Sequence, residues 1–180
     1  MNDQLKKAVN TLKTGGVIAF PTETVYGIGA LLKDKKAVAR IFKIKKRPRS
    51  KPLQVLVSSL RQARELGIFD DQALRSAKKC WPGPLTLVVP ATTKVPGVVR
   101  AGGKTVGLRV PAHRTVLDLI RKAGPIVATS ANIAGDLPFK NAKEVAAGLK
   151  GLEFVMAGRV KLGRPSKVID TTAGYKVIRS

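Results

Sequence analysis

The chain has 180 residues, 44% of them apolar and only 4% aromatic, which suits one domain with a core of Val, Leu, Ile and Ala. Its 34 Lys and Arg against 11 Asp and Glu give a formal charge of +23, an imbalance that points to a polyanionic partner. One cysteine (Cys80) excludes an internal disulfide and a Cys-cluster metal site, one histidine (His113) argues against a His-based one, and no apolar run approaches the ~20 residues of a membrane span.

The start, Met1-Asn2-Asp3-Gln4, lacks the basic and apolar regions of a signal peptide, so a cytoplasmic chain is expected. Leu5, Ala8, Val9 and Leu12 recur at helical spacing, with Asn2 or Asp3 as cap and Gly15-Gly16 as stop. A short strand over 17–20 runs into Pro21. Asp34 caps a helix whose apolar stripe is Ala37, Val38, Ile41 and Phe42. A strand over 53–57 follows, then helices near 59–66 and 70–80. Strands are expected over 85–89 and 106–110, a helix over 114–123 and a strand over 126–128. The remainder reads as a helix over 141–149 and strands over 154–156, 168–170 and 176–178. Interleaved strands and helices without a repeat or linker argue one α/β domain over residues 1–180. Consecutive strands without a helix between them make the sheet mixed, a twisted sheet flanked by helices around a basic concave cleft.

Several segments resist explanation as packing. Residues 21–29 place Thr22, Glu23, Thr24, Tyr26, Gly27 and Gly29 after a strand, offering short donors and close backbone approach to a small polar ligand. Residues 43–51 hold six cations in nine positions, and Pro48 and Pro52 restrict the backbone that carries them. Arg47 suits a two-oxygen grip on phosphate, the lysines point charges. Thr129, Ser130 and Asn132 leave the carboxyl end of a strand, where ligands gather in open α/β sheets. A Ser130 nucleophile with His113 as base is disfavoured, since no Gly-x-Ser-x-Gly elbow is present and His113 reads as a near-cap residue. Gly102-Gly103-Lys104-Thr105 is not a phosphate-binding Walker loop: position 98 is valine, and a strand follows in place of the helix. Arg109 lies within an apolar strand, and a buried guanidinium needs an anionic partner, either Asp170 or a substrate carboxylate, with the substrate preferred.

Six separated motifs together resemble the YrdC/TsaC family: 21–27, 45–48, 81–86, 106–111, 130–132 and 165–170. The resemblance spans about residues 5 to 179 and implies a YrdC-like fold in the short single-domain form. It implies a threonylcarbamoyl-AMP synthase, a nucleotidyltransferase joining L-threonine, bicarbonate or CO2, and ATP with release of pyrophosphate. The product serves threonylcarbamoyladenosine (t6A) modification of ANN-decoding tRNAs through a downstream threonylcarbamoyl transferase complex. By the same resemblance Lys45, Arg47, Ser130 and Asn132 form a catalytic tetrad, with Lys45 neutralising phosphate. Arg47, Lys51, Thr105, Asn132 and Arg179 contact ATP. Thr24, Tyr26, Arg109, Ser130 and Ser166 hold threonine, Arg109 by its carboxylate. No metal ligand is expected among them, magnesium being held mainly by the ATP phosphates. The sequence departs from the family's pattern at Leu56, Lys51, Lys140 and Lys167. The competing reading is a non-catalytic module that binds double-stranded RNA or tRNA through its basic face. A weaker one is a carbamoyl-handling subunit of a larger complex.

Overall fold

A computed structural model describes residues 3–180. The first helix, α1 (Asp3–Lys13), buries Leu5, Ala8 and Leu12; the cap reading on Asn2 lies outside the described residues. Strands β1 (Ile18–Pro21) and β2 (Tyr26–Leu31) form an antiparallel hairpin, followed by α2 (Lys35–Lys45). Asp34 caps α2 by accepting from the Ala37 N–H at 2.9 Å. Then come β3 (Gln54–Leu56), α3 (Leu60–Leu66), α4 (Asp71–Cys80), β4 (Leu85–Pro90) and the single turn α5 (Gly97–Arg100). The remaining elements are β5 (Thr105–Arg109), α6 (Arg114–Ala123), β6 (Ile126–Ser130), α7 (Ala142–Gly148), β7 (Phe154–Val155), β8 (Lys167–Asp170) and β9 (Lys176–Arg179).

The nine strands make one sheet in the order β7-β1-β2-β6-β3-β5-β4-β8-β9. Three pairs are parallel (β1 with β7, β3 with β5, β4 with β8) and the rest antiparallel, so the sheet is mixed, as the helix-free connections imply. Period-two alternation divides its two faces. On β1, Ile18 and Phe20 join α1 and α6 through Leu12, Val116, Leu119 and Ile120. The neighbouring Val17 and Ala19 face the larger core, which α2, α3, α4 and α7 cover with residues such as Ile41, Ala63, Ala77 and Val145. His113 stands at the N-cap of α6 without a side-chain cap bond, and Cys80 is half-buried against the larger core. No helix among the described residues is long and apolar enough to cross a membrane.

Strand β2 is the largest departure from the sequence reading, which saw in residues 21–29 a segment for a small polar ligand and placed no strand there. Gly27 and Gly29 make room for a side chain of the core. A Cβ on Gly29 would lie 2.6 Å from the Val127 carbonyl oxygen and 3.1 Å from the Phe20 ring, and one on Gly27 3.4 Å from that ring. Phe20 fills the space that the glycines leave, so their function is packing.

Candidate active site

The turn between β1 and β2 is organised by one hydroxyl. Thr22 Oγ1 donates to the Val25 carbonyl at 2.7 Å, accepts from the Thr24 and Val25 N–H groups at 3.2 Å, and lies 2.8 Å from Thr24 Oγ1. All three residues are buried. Tyr26, expected beside them in the threonine site, points into the larger core, where its one hydroxyl proton is shared between the Met156 and Gly158 carbonyls at 3.2 and 3.0 Å. Alternation on β2 sends it there, and burial holds its pKa above the ordinary phenol value.

Glu23 supplies the anionic partner that Arg109 requires. Arg109 Nη2 donates to Glu23 Oε1 at 2.6 Å and Nε to the Gly83 carbonyl at 3.1 Å, with the side chain 3% exposed. Asp170 is not that partner, since it accepts instead from Thr172, and Arg109 still lines the cavity described below. Burial pulls the Arg109 pKa down and the Glu23 charge opposes that, so the cation persists at any physiological pH. The Glu23 carbonyl also accepts from the N–H groups of Lys161 and Leu162, tying the segment before Ser166 to the same turn.

At the C-terminus of α2, Lys45 is 1% exposed and its ammonium donates three bonds. They go to the Ser130 carbonyl at 2.5 Å, the Asn132 carbonyl at 2.7 Å and Asn132 Oδ1 at 2.8 Å. Burial, and then the nearby Arg47 charge, push its pKa down to about 8. Asn132 Oδ1 also accepts from Ser130 Oγ at 2.6 Å, while Nδ2 donates to the Ile133 and Asp136 carbonyls at 2.8 Å. With its protons on the polypeptide, the Lys45 ammonium braces the 130–132 turn rather than facing a phosphate.

These segments converge on a cavity of about 370 Å³, the size of a small-molecule site. Of the residues singled out from sequence, Thr24, Arg47, Lys51, Thr105, Arg109, Thr129, Ser130, Ser166 and Arg179 line it. Lys45, Asn132 and Tyr26 stand behind it. Thr86 and Gln54, on β4 and β3, complete its floor and were missed. Thr86 Oγ1 bonds Gln54 Oε1 at 3.0 Å and Ser166 Oγ at 2.9 Å, a cross-strand contact that alternation on β4 offers no means of finding. Arg47 donates to the Lys51 and Pro52 carbonyls, folding its loop against the opening. Arg179, the last residue of β9, bonds Ser166 just before β8, Nε to the carbonyl at 2.9 Å and Nη2 to Oγ at 3.1 Å. Burial and the charges of Arg109 and Arg47 hold the Arg179 pKa below its ordinary value, so the three guanidiniums share one field. The lining carries four cations and no carboxylate, and among the described residues no group of three or more His, Cys, Asp or Glu is placed to hold a metal. The arrangement can neutralise an extended anion along one wall while the threonine and serine hydroxyls meet a smaller polar group along the other.

The family model for Sua5, YciO and YrdC, described as "Telomere recombination", matches residues 10–180. The chain belongs to the Sua5/YciO/YrdC family. It is 42% identical to a threonylcarbamoyl-AMP synthase of Pyrococcus abyssi over 94% of this chain and 51% of that protein. It is 36% identical to one of Chromobacterium violaceum over 97% and 91%. The chain thus spans about half the length of the first relative and nearly all of the second. Among solved structures, Pyrococcus abyssi Sua5 complexed with L-threonine aligns with a TM-score of 0.89 at 42% identity, covering 93% of this chain and 51% of that one. Escherichia coli YciO aligns with a TM-score of 0.90 at 28% identity over 100% and 91%.

Proposed function

We propose that this member of the Sua5/YciO/YrdC family is a threonylcarbamoyl-AMP synthase acting as one YrdC-like domain. The observation that carries the reading is a cavity where Arg47, Lys51 and Arg179 meet Thr24, Arg109 and Ser130. Relatives covered along most of their length bear the name of this activity, which supports it. L-Threonine sits with its carboxylate at Arg109 and its amine towards Thr24 and Ser130, and ATP lies along Arg47, Lys51, Thr105 and Arg179. The threonine amine captures CO2, derived from bicarbonate, and gives up a proton to form a carbamate. A carbamate oxygen attacks the α-phosphorus of ATP, the bond to the β-phosphate oxygen breaks, and pyrophosphate leaves. Such a transfer needs positioning and charge neutralisation more than proton transfer, consistent with a lining rich in guanidinium and without carboxylates. Magnesium, if it accompanies ATP, is held by phosphate oxygens, because the lining offers it no acidic ligand. In this reading the product passes to a threonylcarbamoyl transferase for t6A formation in tRNA.

The test is pyrophosphate release by the purified chain. It should require ATP, bicarbonate and L-threonine together, with threonylcarbamoyl-AMP detected by mass spectrometry. Release that ignores L-threonine, or no release with all three present, refutes the assignment. The +23 charge favours RNA contact in addition.

A further inference from the structure

We infer that Thr22 and Lys45 are positioning residues that fix the hydrogen-bond polarity of the cavity hydroxyls Thr24 and Ser130, committing both to accept from the ligand. The inference rests on the synthase reading and names what that site recognises at this wall: an amine, through its N–H groups.

Proton accounting carries it. The Val25 carbonyl can only accept, so its 2.7 Å contact with Thr22 Oγ1 holds the single Thr22 hydroxyl proton. The 2.8 Å contact between Thr22 and Thr24 must then use the proton of Thr24, which shares the Thr22 lone pairs with the longer 3.2 Å approaches of the Thr24 and Val25 N–H groups. Lone pairs alone remain on Thr24 Oγ1 for the cavity that it lines. On the other side, the orientation of the Asn132 amide is fixed by three partners. Lys45 Nζ can only donate and sits at Oδ1, while the Ile133 and Asp136 carbonyls can only accept and sit at Nδ2. Ser130 Oγ lies 2.6 Å from that Oδ1 and so gives its proton to it. Ser130, too, presents only lone pairs to the cavity. The buried ammonium of Lys45 makes the flipped amide prohibitive, since it would set NH2 against NH3+.

Opposite polarities therefore occupy the one cavity: guanidinium donors at Arg109 for a carboxylate, and hydroxyl acceptors at Thr24 and Ser130 for nitrogen-bound protons. An α-amino acid satisfies both. An α-hydroxy acid of the same shape brings one α-proton where an ammonium brings three, leaving an accepting oxygen unpaired.

The experiment measures binding and kinetics on the purified chain. By calorimetry, wild type binds L-threonine at least about tenfold more tightly than the matching (2S,3R)-2,3-dihydroxybutanoate; equal affinity overturns the inference without any variant. In pyrophosphate assays, Thr22→Val and Lys45→Met raise the L-threonine KM about tenfold or more, with the ATP KM within about twofold. Thr22→Ser keeps the accepting oxygen and restores the threonine KM. A Lys45→Met effect confined to the ATP KM would show Lys45 acting on phosphate and sink the inference, as would a Thr22→Ser as defective as Thr22→Val. Wild type that makes no threonine-dependent pyrophosphate would instead defeat the functional reading itself.

Discussion

Arg47 and Arg109 carry the same charge into one cavity but are held differently, and their substitutions should differ accordingly. Arg47 is half-buried on a loop, bonded among the described residues to the Lys51 and Pro52 carbonyls, and retains donors for a ligand. Arg47→Ala should leave the unfolding midpoint nearly unchanged and lower threonine-dependent pyrophosphate release at least ~100-fold, the scale of removing one preorganised electrostatic contact. Near-normal turnover would remove Arg47 from the reaction. Arg109 is instead half of a buried ion pair. Removing its partner by Glu23→Ala strands a guanidinium out of water, and breaking such a pair costs about 3–5 kcal/mol. Denaturant unfolding reads that loss directly, and a change below ~1 kcal/mol would mean that Arg109 finds another counter-charge. That Arg109 needed an anion was legible from its place in an apolar strand. Which anion was not, because Glu23 lies 86 residues away and is brought there only by the order of strands.

Elements with a clean apolar period were readable: α6 spans Arg114–Ala123, as the spacing of Val116, Leu117 and Ile120 requires. Strand β2 was hidden because its glycines and hydroxyls resemble loop chemistry, and the single turn α5 is too short to show a period. That Lys45, at the end of α2, shares a site with Ser130 and Asn132 followed from the family resemblance alone, and no local pattern announces that its ammonium will be buried against them. That burial has a pH signature. With its folded pKa near 8 against the ordinary 10.5, Lys45 binds fewer protons in the folded than in the unfolded chain between those values. Stability from this group therefore rises with pH across that window and is flat below it. Each pKa unit is 1.36 kcal/mol, so the full effect is roughly 3 kcal/mol. Unfolding free energies of wild type relative to Lys45→Met should diverge in favour of wild type between pH 8 and 10.5. A constant difference would mean that the three acceptors keep the ammonium at its ordinary pKa.

At the scale of the molecule the charge is mostly uncompensated. Among the described residues three ion pairs occur, Arg40 with Glu153, Arg109 with Glu23 and Arg121 with Asp118, against 34 Lys and Arg in the sequence. Four cations line the cavity, which leaves most of the remainder for the outer surface, more than an adenylyl transfer requires. Exposed Lys43, Lys46, Arg49 and Lys51 lead from the end of α2 to the mouth of the cavity, and Arg159, Lys161, Arg164 and Lys167 do so along the segment before β8. A polyanion lying across that mouth would meet both runs, and its affinity would come from counterion release with little regard for sequence. Binding of tRNA or duplex RNA should then weaken steeply with salt, by ~0.9 log units per log unit of salt for each phosphate neutralised. Six to ten contacts would remove about 10³–10⁵ in affinity between 50 and 200 mM salt. Pairing Lys43→Glu with Arg164→Glu, one from each run, should flatten the slope by about two phosphates while leaving the L-threonine KM alone. A slope unchanged by this pair would place any RNA on another face, and turnover inhibited competitively by RNA against ATP would place it inside the cavity rather than across it.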